Sequence, residues 1–389
     1  MKNNLLFISP EKPDLSGTGL QKRIHSILLC LKNQFNIFGF FIGDIDIQSS
    51  LFKDIKSIPT PIVYQDYNGF KRLVLSIFSK YPEYVRDYLI PNLSQIISDW
   101  NHINFDIIWL ERLMMAPLAN HFTKSKVIID LDDIEGKKIF QVLKYKNKPT
   151  KISPWFWYPM IEAFRLKRYE NKILKTKYAK TVSNVNDYKE LRKQQYPSVF
   201  LVENKLDLSY YFKYDRSESK NKTIILTGLF DYFPNRDAFY FFYNKIWPLV
   251  KKCNQEIKWL IVGKNDKIPV HNIEKKEPQI KFTGWVKDIR PYLNSANISI
   301  IPLRIGGGTR YKILESIAMG VPVVSTSIGA DGLPDELKQY VKVADEPEDF
   351  AYKIINLLEN NTKLDMSLSS ILDYKMLLPQ INNIFKDFE

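Results

Sequence analysis

Ile305-Gly306-Gly307-Gly308-Thr309-Arg310-Tyr311-Lys312-Ile313-Leu314-Glu315-Ser316-Ile317-Ala318-Met319-Gly320 decides the fold of this chain. An apolar run, Ile298-Ser299-Ile300-Ile301-Pro302-Leu303, precedes it, and another, Val321-Pro322-Val323-Val324-Ser325, follows. The order is strand, glycine loop, helix, strand. Ile313, Leu314, Ile317, Ala318 and Val321 fall on one helical face. Neither flanking run alternates, as expected of parallel strands covered on both sides.

Such a turn has specific physics. Three glycines let the backbone pass close to a ligand and present bare N–H groups. The helix start adds partial positive charge and unpaired donors, which suit an anion. Arg310 and Lys312 add two cations. Glu315 is expected in the first helical turn, placed to accept hydrogen bonds from hydroxyls. Phosphate and hydroxyl groups bound in one pocket point to a nucleotide or a sugar phosphate. A plain glycine turn carrying a Glu–Arg or Glu–Lys surface pair would give the same letters.

Together with Thr283-Gly284-Trp285-Val286 and Pro234-Asn235-Arg236-Asp237-Ala238, the segment Gly306 to Gly332 resembles the retaining, nucleotide-sugar-dependent glycosyltransferases of GT-B fold (family 4, glycosyl transferases group 1). The resemblance is strong over roughly residues 220 to 335 and weaker over the N-terminal half. It implies that Glu315 holds the donor's ribose hydroxyls. The family's usual partner glutamate, eight positions earlier, is replaced by Gly307. The pattern G-G-G-T-R-x-K-x-L-E of a subgroup matches this chain. By the same resemblance Gly19, Gly228, Arg236, Gly307, Gly308 and Thr309 join Arg310, Lys312 and Glu315 in binding the donor. Arg310 and Lys312 would stabilise the leaving diphosphate, where charge grows in the transition state. Leu229 stands where relatives carry an arginine. Trp285-Val286 would approach the nucleotide base.

The bulk properties agree. A chain of 389 residues suggests two to three domains, and 45% hydrophobic content suffices for two good cores. Two cysteines, Cys30 and Cys253, set no disulfide framework, so a reducing compartment is expected. No apolar run approaches the roughly 18 residues that span a bilayer, and Leu5-Leu6-Phe7-Ile8-Ser9 reads as a first strand rather than a signal segment. The net charge of +13 is uneven: Lys137 to Lys180 holds 13 Lys and Arg against two acids, around Trp155-Phe156-Trp157-Tyr158. Cations interleaved with aromatics suit an anionic membrane surface. They would also suit nucleic acid, or a solvated helix face with a tucked aromatic cluster. The membrane is the partner favoured here over nucleic acid.

The N-terminal half alternates strands (Leu5–Ser9, Phe35–Ile42, Asp106–Leu110, Val127–Asp130, Ala179–Ser183, Val199–Val202) with helices (Leu20–Lys32, Gly69–Lys80, Glu83–Ser98, Tyr158–Lys175, Asn184–Gln194). That pattern predicts a sheet with crossover helices. The loop Ser16-Gly17-Thr18-Gly19 resembles the family's first glycine loop, but Lys22 takes the place of a third glycine. Asp130-Leu131-Asp132-Asp133-Ile134-Glu135 ends a strand, so its acids lie at the carboxyl edge, where α/β ligands bind. Relatives often carry a histidine–aspartate pair there. Asp132 replaces the histidine and is a candidate catalytic group. Asp133 and Glu111 are candidate acceptor contacts. Loop acids that only cap a helix would look the same.

Val202-Glu203-Asn204-Lys205-Leu206-Asp207 resembles the family's interdomain hinge, with Lys205 in the glycine position. The expected architecture is α/β, GT-B: two Rossmann-like domains whose parallel sheets face each other across a cleft. Residues 1–207 bind the acceptor, 220–365 bind the nucleotide sugar, and 366–389 pack back onto the first domain. The expected activity is retaining transfer of a sugar to a glycan or lipid-linked acceptor in bacterial surface-polysaccharide assembly. It would proceed in the cytoplasm or on the inner membrane face, without metal or cofactor. An epimerase, a phosphorylase or a catalytically silent scaffold of the same shape stays open.

Overall fold

A computed structural model describes residues 2–43, 50–59, 69–146, 154–212, 222–307, 310–360, 364 and 370–388, with the side chains of 69–73, 146 and 154–157 outside that description. The chain forms two compact units: Met1–Glu203 with Leu377–Glu389, and Asn204–Met376.

The first unit is built on seven parallel strands: β1 Asn3–Ser9, β2 Phe35–Ile42, β3 Asp54–Ile58, β4 Ile107–Glu111, β5 Lys126–Asp132, β6 Ala179–Val182 and β7 Val199–Leu201. Their order is β3-β2-β1-β4-β5-β6-β7. Leu5 to Ser9 on β1 are all fully buried, as a central strand covered on both faces requires. Helices α1 Gly19–Leu31, α2 Gly69–Phe78, α3 Glu135–Lys146, α4 Pro154–Leu174 and α5 Val185–Lys193 make the crossovers. Asn184 starts α5 as its N-cap, accepting from the N–H groups of Asn186 and Asp187.

One sequence expectation fails in this unit, and two elements, β3 and α3, lie where none was expected. The single helix expected over Glu83–Ser98 is three short pieces, Glu83–Arg86, Leu93–Ile96 and Ser98–Trp100. Pro91 lies between the first two; it has no N–H to give a helix and disfavours helical geometry in the residue before it. Strand β3 was not foreseen. It is an edge strand whose side chains are exposed or half-buried, so no apolar run marks it.

The second unit carries six parallel strands: β8 Thr223–Thr227, β9 Lys258–Val262, β10 Ile280–Phe282, β11 Ile298–Ile301, β12 Val323–Ser325 and β13 Val341–Val343, in the order β10-β9-β8-β11-β12-β13. Its helices include α6 Phe233–Phe241, α7 Tyr311–Ala318 and α8 Pro347–Glu359. On α7 the apolar stripe read from sequence is buried, with Ile313, Leu314, Ile317 and Ala318 in one core cluster. The chain then returns to the first unit as α9 Leu377–Lys386, where Phe35 meets Phe385 edge-on.

The two sheets share one winding. In each, the strand order reverses beside the first strand, between β1 and β4 and between β8 and β11. At such a switch point the loops leaving the carboxyl ends diverge and open a crevice for ligand.

Candidate functional site

The loop from β11 to α7 leaves the second sheet at its switch point. Gly306 has a φ of +152°, and a Cβ there would lie 2.0 Å from the Arg310 guanidinium. Glycine is needed so that this side chain can fold against its own loop, where Nη1 donates to the Gly307 carbonyl. Nε and Nη2 of Arg310 are buried without a hydrogen-bond partner among the described residues. Gly308 and Thr309 lie outside the described residues.

Lys312 projects from the first turn of α7 to the end of β8. Its ammonium donates to the Thr227 carbonyl at 3.0 Å and to Asn235 Oδ1 at 2.9 Å. Burial, then the Arg310 charge, lowers its pKa to about 7, with Glu315 opposing. Gly228, with φ +157°, turns the chain beside it. A Cβ on Gly263 would sit 2.0 Å from the Gly228 carbonyl oxygen, so the ends of β8 and β9 pass backbone against backbone. Glycine loop, helix start and two cations therefore converge as an anion cradle requires.

Glu315 is not in the first turn as expected. Arg310 is the N-cap, so Glu315 is the fifth helical residue, one turn in. It is 4% exposed, and Oε1 accepts from the Tyr211 hydroxyl at 2.9 Å. Burial, then the Glu315 charge, holds that phenol well above its ordinary range, so it remains a donor. Arg236, from the first turn of α6, turns back to donate to the carbonyls of Phe230 and Asp231 at 3.3 and 3.1 Å, bracing the loop after β8. Leu229 and Trp285 are exposed, Trp285 at 70%.

The first unit places its candidates differently. Glu111 and Asp132 end neighbouring strands, and Asp130 is the register partner of Glu111. Arg23, on the buried face of α1, grips Asp130 through two bonds of 2.9 Å, and Thr181 donates to the same carboxylate at 2.7 Å. Arg112 pairs with Asp132 at 3.1 Å and with Glu135 at 3.4 Å. Both Arg112 (φ +77°) and Asp132 (φ +57°) hold left-handed backbone, a strained choice for residues with side chains. Burial raises the Asp132 pKa and Arg112 pulls it back. Asp133 lies 3.3 Å from Lys138. Glu111 is fully buried, with no hydrogen bond to either oxygen among the described residues. Burial, then the Asp130 charge, raises its pKa well above the carboxylate range. A side chain with no exposed surface offers an incoming acceptor nothing to touch, so Glu111 lies behind this edge rather than on it.

Gly19 is the first residue of α1. A capping box closes the helix start ahead of it, with Thr18 and Gln21 satisfying each other's backbone N–H groups. The glycine this loop requires is Gly17, whose Cβ would lie 2.0 Å from Gln21 Oε1.

In the basic segment, residues 147–153 and the side chains of Trp155, Phe156 and Trp157 lie outside the described residues. Several of its cations have internal partners. Lys137 reaches Asp187 at 2.9 Å, Arg165 donates to the carbonyls of Ser79 and Tyr81, and Lys180 to that of Thr176. Phe164 is 59% exposed against Phe140. Among the described residues, no helix is long and apolar enough to cross a membrane, and no three His, Cys, Asp or Glu side chains are grouped to hold a metal ion.

Asn235, Tyr211 and Arg23 went unassigned in the sequence. Arg23 had a signal: it shares a helical face with Ile27 and Cys30, and a charge on an apolar face needs a buried partner. Asn235 stood in view at a helix start. Nothing local marked Tyr211.

Residues 221–360 match the family described as glycosyl transferases group 1. An uncharacterized 44.6 kDa protein in the cps region of Klebsiella pneumoniae is 28% identical over 157 residues, 38% of this chain and 40% of that protein's length. Among solved structures, sucrose-phosphate synthase from Thermosynechococcus elongatus aligns with a TM-score of 0.65 at 12% identity, covering 99% of both chains. Anabaena HepE in complex with UDP and glucose aligns at 0.62 and 12%, again over 99% of both. The fold is GT-B, and the match to glycosyl transferases group 1 lies within its second unit.

Proposed function

We propose that this chain is a retaining glycosyltransferase that moves a sugar from a nucleoside-diphosphate sugar to a hydroxyl of a glycan or lipid-linked acceptor. One observation carries the reading: α7 brings Lys312 and Arg310 to the glycine turns at the second sheet's switch point, with Glu315 one turn behind them. The cations and loop N–H groups take the diphosphate, and Glu315 takes the ribose hydroxyls. HepE, of the same fold, binds UDP and glucose, which supports a donor of this class. In the reaction the acceptor oxygen bonds to the anomeric carbon as the bond to the phosphate oxygen breaks. The acceptor's proton passes to a phosphate oxygen on the same face. Lys312 and Arg310 stabilise the charge left on the diphosphate. Asp132, Asp133 and the guanidinium of Arg112 are the acceptor-side groups of the first unit. The cps-region relative supports a place in surface-polysaccharide assembly.

A melting-temperature panel with UDP, GDP, TDP, ADP and CMP tests the donor site, since a bound ligand raises the melting temperature by mass action. One diphosphate should stabilise wild type and fail to stabilise Glu315→Ala. No shift from any of the five would overturn the reading.

An anionic membrane surface is the proposed partner of residues 137–180, supported by exposed Phe164 and by Lys167, which lies over the Phe140 ring at 5.7 Å. Sedimentation with vesicles rich in phosphatidylglycerol, and none with neutral vesicles, is the expected result; equal recovery with both would count against it.

A further inference from the structure

We infer that Asn235 is a positioning residue of the anion cradle: it ties the Lys312 ammonium to the Gly228–Leu229 turn and so sets where that cation meets the donor diphosphate. The inference rests on the donor-site reading above and adds to it a residue that acts through Lys312.

The geometry is a three-way contact. Asn235 Oδ1 accepts from Lys312 Nζ at 2.9 Å, while its Nδ2 donates to the Leu229 carbonyl at 3.0 Å. A Cβ on Gly228 would lie 3.0 Å from Asn235 Nδ2 and 3.3 Å from Lys312 Nζ. Turn, amide and ammonium thus hold one another, and the only side chain among the three that can aim the ammonium is the amide.

The chemistry of the partners matters as much as their number. A lysine ammonium has three donors. Two of them go to the Thr227 carbonyl and Asn235 Oδ1, both neutral acceptors. Neutral acceptors orient the ammonium without cancelling its charge, and among the described residues no third acceptor takes the remaining donor, which is left for an anion. The charges acting on Lys312 are Arg310 at the helix cap, which disfavours its proton, and Glu315 one turn on, which favours it. Arg236, Asn235's neighbour on α6, donates instead to the carbonyls of Phe230 and Asp231. A carboxylate at position 235 would compete with phosphate for the same ammonium. Leu229, where relatives carry a cation, is 41% exposed and contributes only its carbonyl. Without that cation the phosphate falls to Lys312 and Arg310, so the aim of Lys312 matters more here.

Calorimetric titration with UDP, GDP, TDP and ADP between pH 7 and 9 tests this on full-length wild type, Asn235→Asp, Asn235→Ala and Lys312→Met. For wild type, the affinity of the diphosphate that binds should fall with rising pH, by ~10-fold in all between pH 7 and 9, because the lysine contributes only while protonated. In Asn235→Asp the fall should begin about one pH unit higher, with affinity at pH 7 weakened ~10-fold. Asn235→Ala should lose ~10-fold while keeping its melting temperature, and Lys312→Met should show no pH dependence. A purely structural asparagine would lower affinity equally at every pH, and an Asn235→Asp profile coinciding with wild type would overturn the assignment. Were no diphosphate to bind wild type at any pH, the donor reading itself would fall, a result distinct from tight binding with an unmoved profile.

Discussion

The carboxyl edges of the two sheets start from the same winding and end in opposite chemistry. The first unit's edge is crowded with acids whose charges are already met. Arg23 holds Asp130, Arg112 holds Asp132 and Glu135, and Glu111 sits behind them without a hydrogen bond to its carboxyl among the described residues. The second unit's edge is cationic and thinly satisfied: Lys312 rests on neutral acceptors and Arg310 on its own loop carbonyl. One edge is finished before any ligand arrives. The other is incomplete without one. A switch point thus supplies a place for a ligand, but the balance of charge and counter-charge there decides which one.

The largest expected effect breaks the finished edge. Arg23→Met leaves the buried Asp130 without its cation, which should cost about 3–5 kcal/mol; chemical denaturation with a probe in the first unit would show it, and an unchanged midpoint would deny the pair its structural role. Next comes the unfinished edge. Glu315→Ala should lower kcat/KM for the donor by at least ~100-fold, roughly 2.7 kcal/mol, with a melting temperature within a few degrees of wild type. Lys312→Met should cost ~10- to 30-fold near pH 7, about 1.4–2 kcal/mol. Wild-type donor affinity should be highest below about pH 7, where Lys312 is charged, and fall above it.

Glu111→Gln gives the smallest effect and the sharpest contrast. Because the folded pKa of Glu111 is raised, folding takes up a proton once the unfolded carboxyl has ionised near pH 4.5. Its favourable contribution is complete below that pH and is lost as pH rises toward the folded value. The glutamine variant lacks this loss. Its melting temperature relative to wild type should therefore climb from pH 5 to 8. A constant difference across that range would mean that Glu111 is ionised in the fold.

Much of the architecture was legible because buried parallel strands are written as plain apolar runs and crossover helices as apolar stripes. What escaped was the edge strand β3, whose side chains are exposed or half-buried, the short strand β13, helix α3, and the break in the helix over 83–98, where Pro91 outweighed the periodic pattern around it. The glycine loop with Arg310, Lys312 and Glu315 could be read because its parts lie within ten residues. Arg23 and Asp130, 107 positions apart, could not be paired by any local rule. The same holds for Tyr211 and Glu315, separated by 104. Composition reported the charge of the basic segment but not its use: Lys137 and Arg165 go to partners inside the unit.

The route of the chain has a consequence for how the protein is made. The second unit is an insertion: the backbone leaves the first unit after Glu203 and resumes it at Leu377. The insertion's two ends are stitched together, Leu206 N–H to the Leu372 carbonyl at 2.7 Å and Tyr374 N–H to the Leu206 carbonyl at 2.8 Å. Strands β1 to β7 therefore leave the ribosome well before α9, and the first unit waits through the synthesis of the whole second one for its last helix. Once the second unit has folded, those stitches hold its ends side by side. A long tether becomes a short one, and the entropy of closing the loop has already been lost when α9 arrives.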